Sequence, residues 1–283
     1  MATVTLMGVK GGPAIFPGSN MPTSLLLQMA GKNVLIDAGL GVTRGVCDMG
    51  LRLPEIDAIY VSHLHSDHFL ELGPFFHTAW TAGLKHPISV IGPSGLKDYW
   101  TNFLRSMDDD VALRIEDEGR VPLKDLFEFA PIKAGAMDAP KGIAATAILN
   151  DHPPITESFA LRFEGDGKSF VFSGDTAPME TMISFAKDAD LLVHEAMMVS
   201  GVDRLVSKLP NHSDRLRTHI LQSHSPADQV GKIAAAAKVK HLALTHLVPN
   251  SDPHITTEDW TIEIRKAYDG RLSIGSDGMK IVI

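Results

Sequence analysis

Short apolar runs alternate along most of the chain with turns that contain Gly, Asp or Pro. Runs of roughly four to eight apolar and β-branched residues between such turns predict buried strands. In the first third, the pattern predicts strands at residues 3–7, 24–29, 34–36, 57–61 and 88–91. Farther along, it predicts strands at residues 127–132, 143–149, 158–163, 169–173, 191–193, 242–244, 271–274 and 279–282.

Helical periodicity separates several of these strands and predicts helices at residues 70–82, 94–106, 178–186, 226–238 and 257–267. Residues 107–125 are acidic and poorly patterned, so we expect a solvated loop there. Residues 196–223 give mixed signals. Strands interrupted by helices in both halves predict an α/β fold with two sheets sandwiched by helices. We expect a single domain over residues 1–283, with a lid or insertion at 197–223.

Composition narrows the class of protein. The 283 residues are 44% hydrophobic and 21% charged, which is typical of a folded globular protein. The net charge of −8 disfavours an electrostatic nucleic-acid binder. A single Cys, Cys47, excludes a disulfide framework and a Cys-based zinc module. Because neither a long apolar run nor a signal-peptide pattern is present, we expect a cytoplasmic protein without a membrane partner.

The most informative stretch is His63-x-His65-x-Asp67-His68, which directly follows the predicted strand at 57–61. Side chains alternate along a strand, so His63 and His65 share a face, and the following turn can carry Asp67 and His68 to a second point nearby. Four such side chains at the end of a buried strand would be costly without a metal. The stretch therefore predicts ligands for two metal ions.

Three further residues follow apolar strands in the same way: His152, Asp175 and His246. Strand ends in α/β folds are where ligands gather, so we expect these side chains to complete the two sites. A side-chain nucleophile is not indicated, because Gly92-Pro93-Ser94-Gly95 does not match a nucleophile elbow. Phosphate-binding glycine patterns are also absent from the sequence.

The complete set resembles the ligands of the metallo-β-lactamase fold superfamily. Residues 37–39, 173–176, 194–196 and 224–246 resemble its ribonuclease Z-like branch, which includes arylsulfatase-like relatives. The resemblance covers nearly the whole chain and implies an αββα sandwich of two mixed β-sheets flanked by helices. It implies that the first metal is held by His63, His65 and His152, that the second is held by Asp67, His68 and His246, and that Asp175 bridges them. We expect two divalent ions, zinc first, with manganese or iron as alternatives.

The resemblance also implies a hydrolase in which a metal-bridging hydroxide attacks the substrate. Asp67 then serves catalysis as well as ligation, and Glu195 and His224 form a proton-delivering pair. The expected substrate is a small phosphodiester or related ester. Aryl sulfates, lactones and β-lactams are alternatives, as is a non-catalytic metal-binding module, which the intact ligand set disfavours.

Ribonuclease Z-type cleavage of transfer RNA at its 3′ side is a further alternative, which we disfavour. In that branch the enzyme grips transfer RNA with an arm between the third-ligand histidine and the bridging aspartate, and residues 153–174 leave no room for one. We therefore expect a small-molecule partner rather than a nucleic acid, and the sequence leaves a homodimer open. His212 and His219 are expected at the surface, with a lid role as the alternative.

Overall fold

The computed structural model describes residues 1–207, 214–250 and 252–283, and its strands follow the apolar runs closely. The first sheet contains β1 (Thr3–Gly8), β2 (Ser24–Met29), β3 (Lys32–Ile36), β4 (Ala58–Tyr60), β5 (Ile88–Gly92), β6 (Phe127–Pro131) and β14 (Met279–Val282). The second contains β7 (Gly135–Met137), β8 (Ala144–Leu149), β9 (Phe159–Gly165), β10 (Lys168–Phe172), β11 (Leu191–Met197), β12 (His241–Val248) and β13 (Arg271–Ile274).

Of the ten helices in the described residues, five lie where the helical periodicity predicts them and five do not. The helices are α1 (Val42–Asp48), α2 (Ser66–Phe69), α3 (Leu72–Thr81), α4 (Leu96–Ser106), α5 (Asp108–Glu118), α6 (Glu180–Phe185), α7 (Val199–Ser207), α8 (Asp214–Ser223), α9 (Ala227–Ala236) and α10 (Thr257–Arg265). The segment expected to form a lid or insertion, 197–223, contains α7 and α8, and its residues 208–213 lie outside the described residues. No helix of the described residues is long and apolar enough to cross a membrane.

Both sheets of the described chain have seven strands and are mixed. Their orders are β14-β1-β2-β3-β4-β5-β6 and β13-β12-β11-β10-β9-β8-β7. Strands β3 to β6 run parallel, as do β10 to β13, and the remaining neighbours are antiparallel. Parallel neighbours bring strand ends to one edge, which is where the predicted ligands follow their strands.

Three apolar clusters fill the spaces between four layers. The central cluster lies between the sheets and includes Leu27, Tyr60, Phe163 and Phe170, which are fully buried. A second cluster packs α1, α3 and α4 onto the outer face of the first sheet, and a third packs α6, α9 and α10 onto the second sheet. The architecture is therefore the expected αββα sandwich.

The prediction of a solvated loop at 107–125 is wrong, because residues 108–118 form α5. The acidic run Asp108–Asp110 occupies the first helical turn, where negative charge is stabilised by the helix dipole. Val111 and Ile115, one helical turn apart, pack against the second apolar cluster. Gly119 ends the helix with a φ of 63°, in the left-handed region that glycine tolerates.

Candidate metal centre

The His63–His68 stretch changes from extended to helical backbone within six residues. It leaves β4 extended, and α2 begins at Ser66, so the two halves of the motif have different backbone conformations. His63 and His65 come before the helix, whereas Asp67 and His68 lie within it. The turn between them brings the pair His63 and His65 close to the pair Asp67 and His68, as the sequence predicted.

The first cluster of potential ligands consists of three imidazoles and one carboxylate. His65 Nδ1 lies 3.2 Å from His63 Nε2 and 3.0 Å from His152 Nε2. Asp175 Oδ2 lies 3.6 Å from His63 Nε2 and 3.9 Å from His152 Nε2. Four ligand atoms from three separate segments of the chain thus surround one point.

The second cluster adjoins the first through Asp175. His246 Nε2 lies 3.2 Å from Asp67 Oδ2 and 3.1 Å from Asp175 Oδ2. His68 Nε2 lies 3.6 Å from Asp67 Oδ2 and 3.3 Å from Asp175 Oδ2. The structure therefore brings all seven predicted ligand side chains together, with the Asp175 carboxylate between the two groups.

A local irregularity of the second sheet directs His246 into the centre. Glu195 pairs with Thr245 and Ala196 pairs with Leu247, so His246 is the extra residue of a bulge between β11 and β12. Its φ of 42° is left-handed, a conformation that costs a non-glycine residue of order 1–3 kcal/mol. Bulges commonly redirect a side chain next to a functional site, and this one turns the imidazole toward Asp67 and Asp175.

Hydrogen bonds behind the imidazoles select which ring nitrogen faces the centre. His152 Nδ1 donates to the carbonyl oxygen of Ser223 at 2.8 Å, and His68 Nδ1 donates to Asp37 Oδ2 at 2.7 Å. The Ser62 hydroxyl donates to Asp37, so its oxygen accepts the Nδ1–H of His63 at 3.1 Å. Each of these three rings therefore turns its Nε2 toward the centre, where this nitrogen could bind a metal.

Asp37 is a site residue that the sequence analysis did not assign. It is fully buried and accepts hydrogen bonds from the Ser62 backbone N–H at 2.7 Å and from His68. A signal was present, because Asp37 follows the apolar strand 34–36 just as Asp175 and His246 follow theirs.

The buried His/Asp cluster suits a dinuclear metal site. In the first cluster, the Nδ1–H groups of His63 and His152 donate to partners outside the cluster. His65 Nδ1 is within 3.2 Å of the Nε2 atoms of both rings, and in neutral imidazoles only His65 can supply a proton between them. Asp175 Oδ1 is buried and has no hydrogen-bond partner among the described residues. Nitrogen and carboxylate ligands of this kind suit zinc and also fit manganese or iron.

The electrostatics of the first cluster favour neutral imidazoles, the form that binds metal. Burial, together with neighbouring histidines, lowers the pKa of His63 well below its usual value and lowers the pKa of His65 to about 4. Although burial opposes ionisation of Asp175, the neighbouring imidazoles, His246 first and then His68, hold its pKa well below the usual value. Both effects leave ligand atoms unprotonated at neutral pH.

Glu195 and His224 form a buried pair beside the second cluster. The two carboxylate oxygens of Glu195 lie 3.1 and 3.2 Å from His224 Nδ1, and the Thr176 backbone N–H donates to Oε1 at 2.7 Å. Burial alone would lower the pKa of His224, but the Glu195 charge and hydrogen bond raise it to about 9. The His224 ring stacks on His246 with centroids 5.3 Å apart, so residues 196–223 do not separate it from the centre.

A cavity of about 650 Å³ opens over both clusters. Its walls include the loop at residues 10–19, the bulged end of β12 and one side of α8. His219 of α8 lies in this wall, half-buried, with its ring centroid 5.9 Å from that of His65. His219 therefore has the position that the alternative of a lid role implies, and His212 lies outside the described residues.

Known proteins are similar to this chain over most of its length. The family model described as "Anti-Pycsar protein Apyc1" matches residues 3–246. The chain is 30% identical over 280 residues to a protein named ribonuclease Z from Mycolicibacterium gilvum, covering 98% of this chain and 94% of the relative. It is 29% identical to a Mycobacterium bovis protein of the same name, covering 98% and 96%.

Solved structures with a similar fold are more distant in sequence. The Bacillus subtilis protein YhfI, described as having the metallo-β-lactamase fold, matches with a TM-score of 0.75 and 19% identity over 100% of both chains. The short form of human tRNase Z matches with a TM-score of 0.68 and 19% identity over 99% of both. A diphosphatase of the PhnP family matches with a TM-score of 0.67 and 18% identity over 100% of this chain and 98% of that one.

Proposed function

The chain belongs to the metallo-β-lactamase fold superfamily and, within it, to the family of the anti-Pycsar protein Apyc1, and we propose that it is a dinuclear metal-dependent hydrolase of small phosphodiesters. The observation that carries this proposal is the pair of ligand clusters that share Asp175 on the wall of an open cavity. A purely structural metal site would be closed to solvent and would not need an accessible cavity.

In this proposal each ligand side chain has a defined part. His63, His65 and His152 would hold the first ion, and Asp67, His68 and His246 would hold the second, with Asp175 as the ligand available to both. When bound, two divalent cations lower the pKa of a water molecule and neutralise negative charge that develops on the substrate. Zinc is the metal that we propose, because all ligand atoms are imidazole nitrogens or carboxylate oxygens in small, buried clusters.

The pair Glu195 and His224 supplies the proton for the leaving group. Glu195 accepts the Nδ1–H of His224 and fixes the ring, which leaves the Nε2–H of His224 free to donate. Asp67, at the second cluster, accepts a hydrogen bond from the backbone N–H of Gly12 at 2.8 Å, which holds its carboxylate at the cavity wall.

The names of the relatives support phosphate chemistry over the alternatives. A ribonuclease and a diphosphatase both break bonds to phosphorus. Aryl sulfates, lactones and β-lactams remain alternative substrates because the same ligand set could polarise a sulfuryl or carbonyl oxygen. Cleavage of transfer RNA is a second candidate because of the ribonuclease Z relatives, but the hairpin of β9 and β10 fills the interval where an arm would be inserted.

The test combines metal content with a substrate panel. Protein purified without chelator should contain about two equivalents of metal and should hydrolyse bis-nitrophenyl phosphate faster than nitrophenyl sulfate, a lactone or nitrocefin. Asp175→Ala should lose metal and nearly all turnover while the fold survives. Asp57→Ala is the control. It also removes a carboxylate, but this one accepts hydrogen bonds from Lys32 and Asn33 and is not a predicted metal ligand. Metal content near zero that does not rise with added zinc or manganese would overturn the proposal.

A further inference from the structure

The cavity wall contains a lysine, Lys10, that the proposed mechanism does not use. Its side chain and backbone together are only 7% exposed. The Lys10 backbone N–H donates to the Met21 carbonyl at 2.9 Å, and the Gly11 N–H donates to the Leu247 carbonyl at 3.3 Å. These bonds fix Lys10 against the strand that carries His246.

The next residue, Gly11, packs so closely on β12 that a side chain would not fit there. A Cβ at Gly11 would lie 2.5 Å from Val248 Cγ2 and 3.0 Å from ring atoms of His246, so the backbone itself packs on the imidazole. Gly12 follows with a φ of 84° and donates its N–H to Asp67 Oδ2. The loop therefore contacts both Asp67 and His246, and the position of Lys10 is set relative to the second ligand cluster.

The Lys10 ammonium has hydrogen-bonding capacity to spare. It donates to the carbonyl oxygens of Gly11 at 2.9 Å and Gly12 at 2.8 Å. An ammonium group has three N–H donors, and the third has no partner among the described residues. Because Lys10 lines the cavity, this third donor is available to an anionic oxygen of a ligand bound there.

No other lysine or arginine side chain lies among the described residues of the cavity wall. The acidic residue Asp252 in the same wall accepts a hydrogen bond from Arg204 Nε at 2.7 Å, so its charge already has a partner. Lys10 thus supplies the cavity with a fixed positive charge beside the second cluster.

We propose that Lys10 is an anion anchor that binds an anionic oxygen of the substrate and makes the site selective for esters whose scissile group is negatively charged. This inference rests on the proposed hydrolase function and deepens it. Phosphodiesters and sulfate esters carry that charge, whereas phosphotriesters, lactones and carboxylic esters do not. Charge-assisted hydrogen bonds are about twice as strong as neutral ones, so the preference should be measurable.

The experiment compares two substrates that differ by one charge. Metal-loaded wild type, Lys10→Met and Lys10→Arg are assayed with methyl nitrophenyl phosphate, an anionic diester, and dimethyl nitrophenyl phosphate, a neutral triester with the same leaving group. Lys10→Met should raise KM for the diester by roughly 10- to 100-fold and leave KM for the triester unchanged. Lys10→Arg keeps the positive charge and should raise KM for the diester by less than Lys10→Met does. Lys85→Met removes an exposed lysine and so makes the same change in net charge, with no effect expected.

A binding measurement separates this inference from the proposed function. Calorimetric titration of metal-loaded protein with inorganic phosphate should give a dissociation constant that is weaker by a similar factor in Lys10→Met. If the wild type hydrolyses none of the esters, the proposed function fails, but the phosphate titration still decides the role of Lys10.

Two results would overturn the proposal that Lys10 binds an anionic oxygen of the substrate. The first is equal phosphate affinity in wild type and Lys10→Met. The second is a loss of metal from Lys10→Met and also from Lys10→Gln, whose amide can still donate to one carbonyl of the loop. In that case Lys10 stabilises the Gly11–Gly12 backbone, and through it the position of Asp67, and does not bind the substrate anion.

Discussion

Single hydrogen bonds behind the ligands decide which nitrogen each imidazole presents. The clearest case is Asp37, whose Oδ2 accepts the Nδ1–H of His68 and thereby turns the Nε2 of this ring toward Asp67 and Asp175. Like His246, Asp37 has a left-handed backbone, with a φ of 58°, which is strained for a non-glycine residue. Such strain persists where the surrounding structure requires it, and here it accompanies the hydrogen bond to His68.

Asp37→Asn should weaken metal binding at the second cluster by roughly 10- to 100-fold, the usual effect of losing a partner behind a ligand. The amide N–H₂ of asparagine would face His68 Nδ1 and force the proton onto Nε2, which is then no longer a ligand. Chelator competition would measure the affinity. Asp57→Asn changes a carboxylate that accepts the Asn33 N–H outside the cavity and should leave the affinity unchanged. Unchanged metal affinity in Asp37→Asn would remove Asp37 from the site.

The second residue-scale prediction concerns the leaving group. If His224 delivers a proton, His224→Ala should cost about 10²–10⁴-fold on bis-phenyl phosphate, whose phenolate is basic, and much less on bis-nitrophenyl phosphate. Glu195→Gln should show the same pattern more weakly, because it only misorients the ring. Metal content should stay constant in both variants, and His86→Ala, at an exposed histidine, serves as the control.

Equal losses across leaving groups would show that His224 and Glu195 support the site without acting as an acid. Absence of any change would show that the pair takes no part in the reaction. The pair packs beside His152 and His246, so metal analysis must accompany each rate.

At the scale of elements, the ends of strands carry the site. The sequence predicted β2, β13 and β14 with their observed bounds, because each is an apolar or β-branched run between turn residues. It did not predict β7, since Gly135–Met137 is short and mostly exposed and lacks an apolar run. It also missed α1, α2, α7 and α8. It missed α5 because acidic residues surround the two apolar positions that pack inward.

The ligand residues could be found from the sequence, but the contacts between them could not. Each follows an apolar strand, which is a local signal. The bulge that turns His246 inward depends on pairing between β11 and β12, and the place of His219 in the cavity wall depends on how α8 packs. Both are long-range properties that periodicity along one segment does not contain.

The short hairpin of β9 and β10 predicts that the protein does not cleave transfer-RNA precursors. It passes from one strand to the next through Asp166 and Gly167, which have left-handed φ values of 55° and 69°, and offers no extended arm. A polyanion needs several Lys or Arg contacts, and its affinity falls steeply with salt. A transfer-RNA precursor should therefore stay uncleaved at physiological salt in a preparation that hydrolyses bis-nitrophenyl phosphate. Cleavage beside the discriminator base at comparable rates would contradict this.

At the scale of the whole molecule, the proposed metals connect the two sheets. The His63–His68 stretch follows β4 of the first sheet, whereas His152, Asp175 and His246 belong to the second. Without cations, buried ligand atoms face one another, and Asp175 Oδ1 lacks a hydrogen-bond partner in the described chain. Metal bound only by the folded protein must stabilise the sandwich as a unit.

Removing the metal should therefore lower the melting temperature. With free metal about 1,000-fold above its Kd, binding to the folded state adds about 4 kcal/mol to the free energy of unfolding. For a chain of this size, that corresponds to a shift of roughly 8–16 °C, measured by calorimetry on chelator-treated and zinc-reloaded protein. Asp175→Ala is the matched control and should show a much smaller shift on adding zinc, because the shared ligand is gone. Identical melting temperatures with and without metal in the wild type would show that no cation joins the sheets, and the dinuclear assignment would then have to be abandoned.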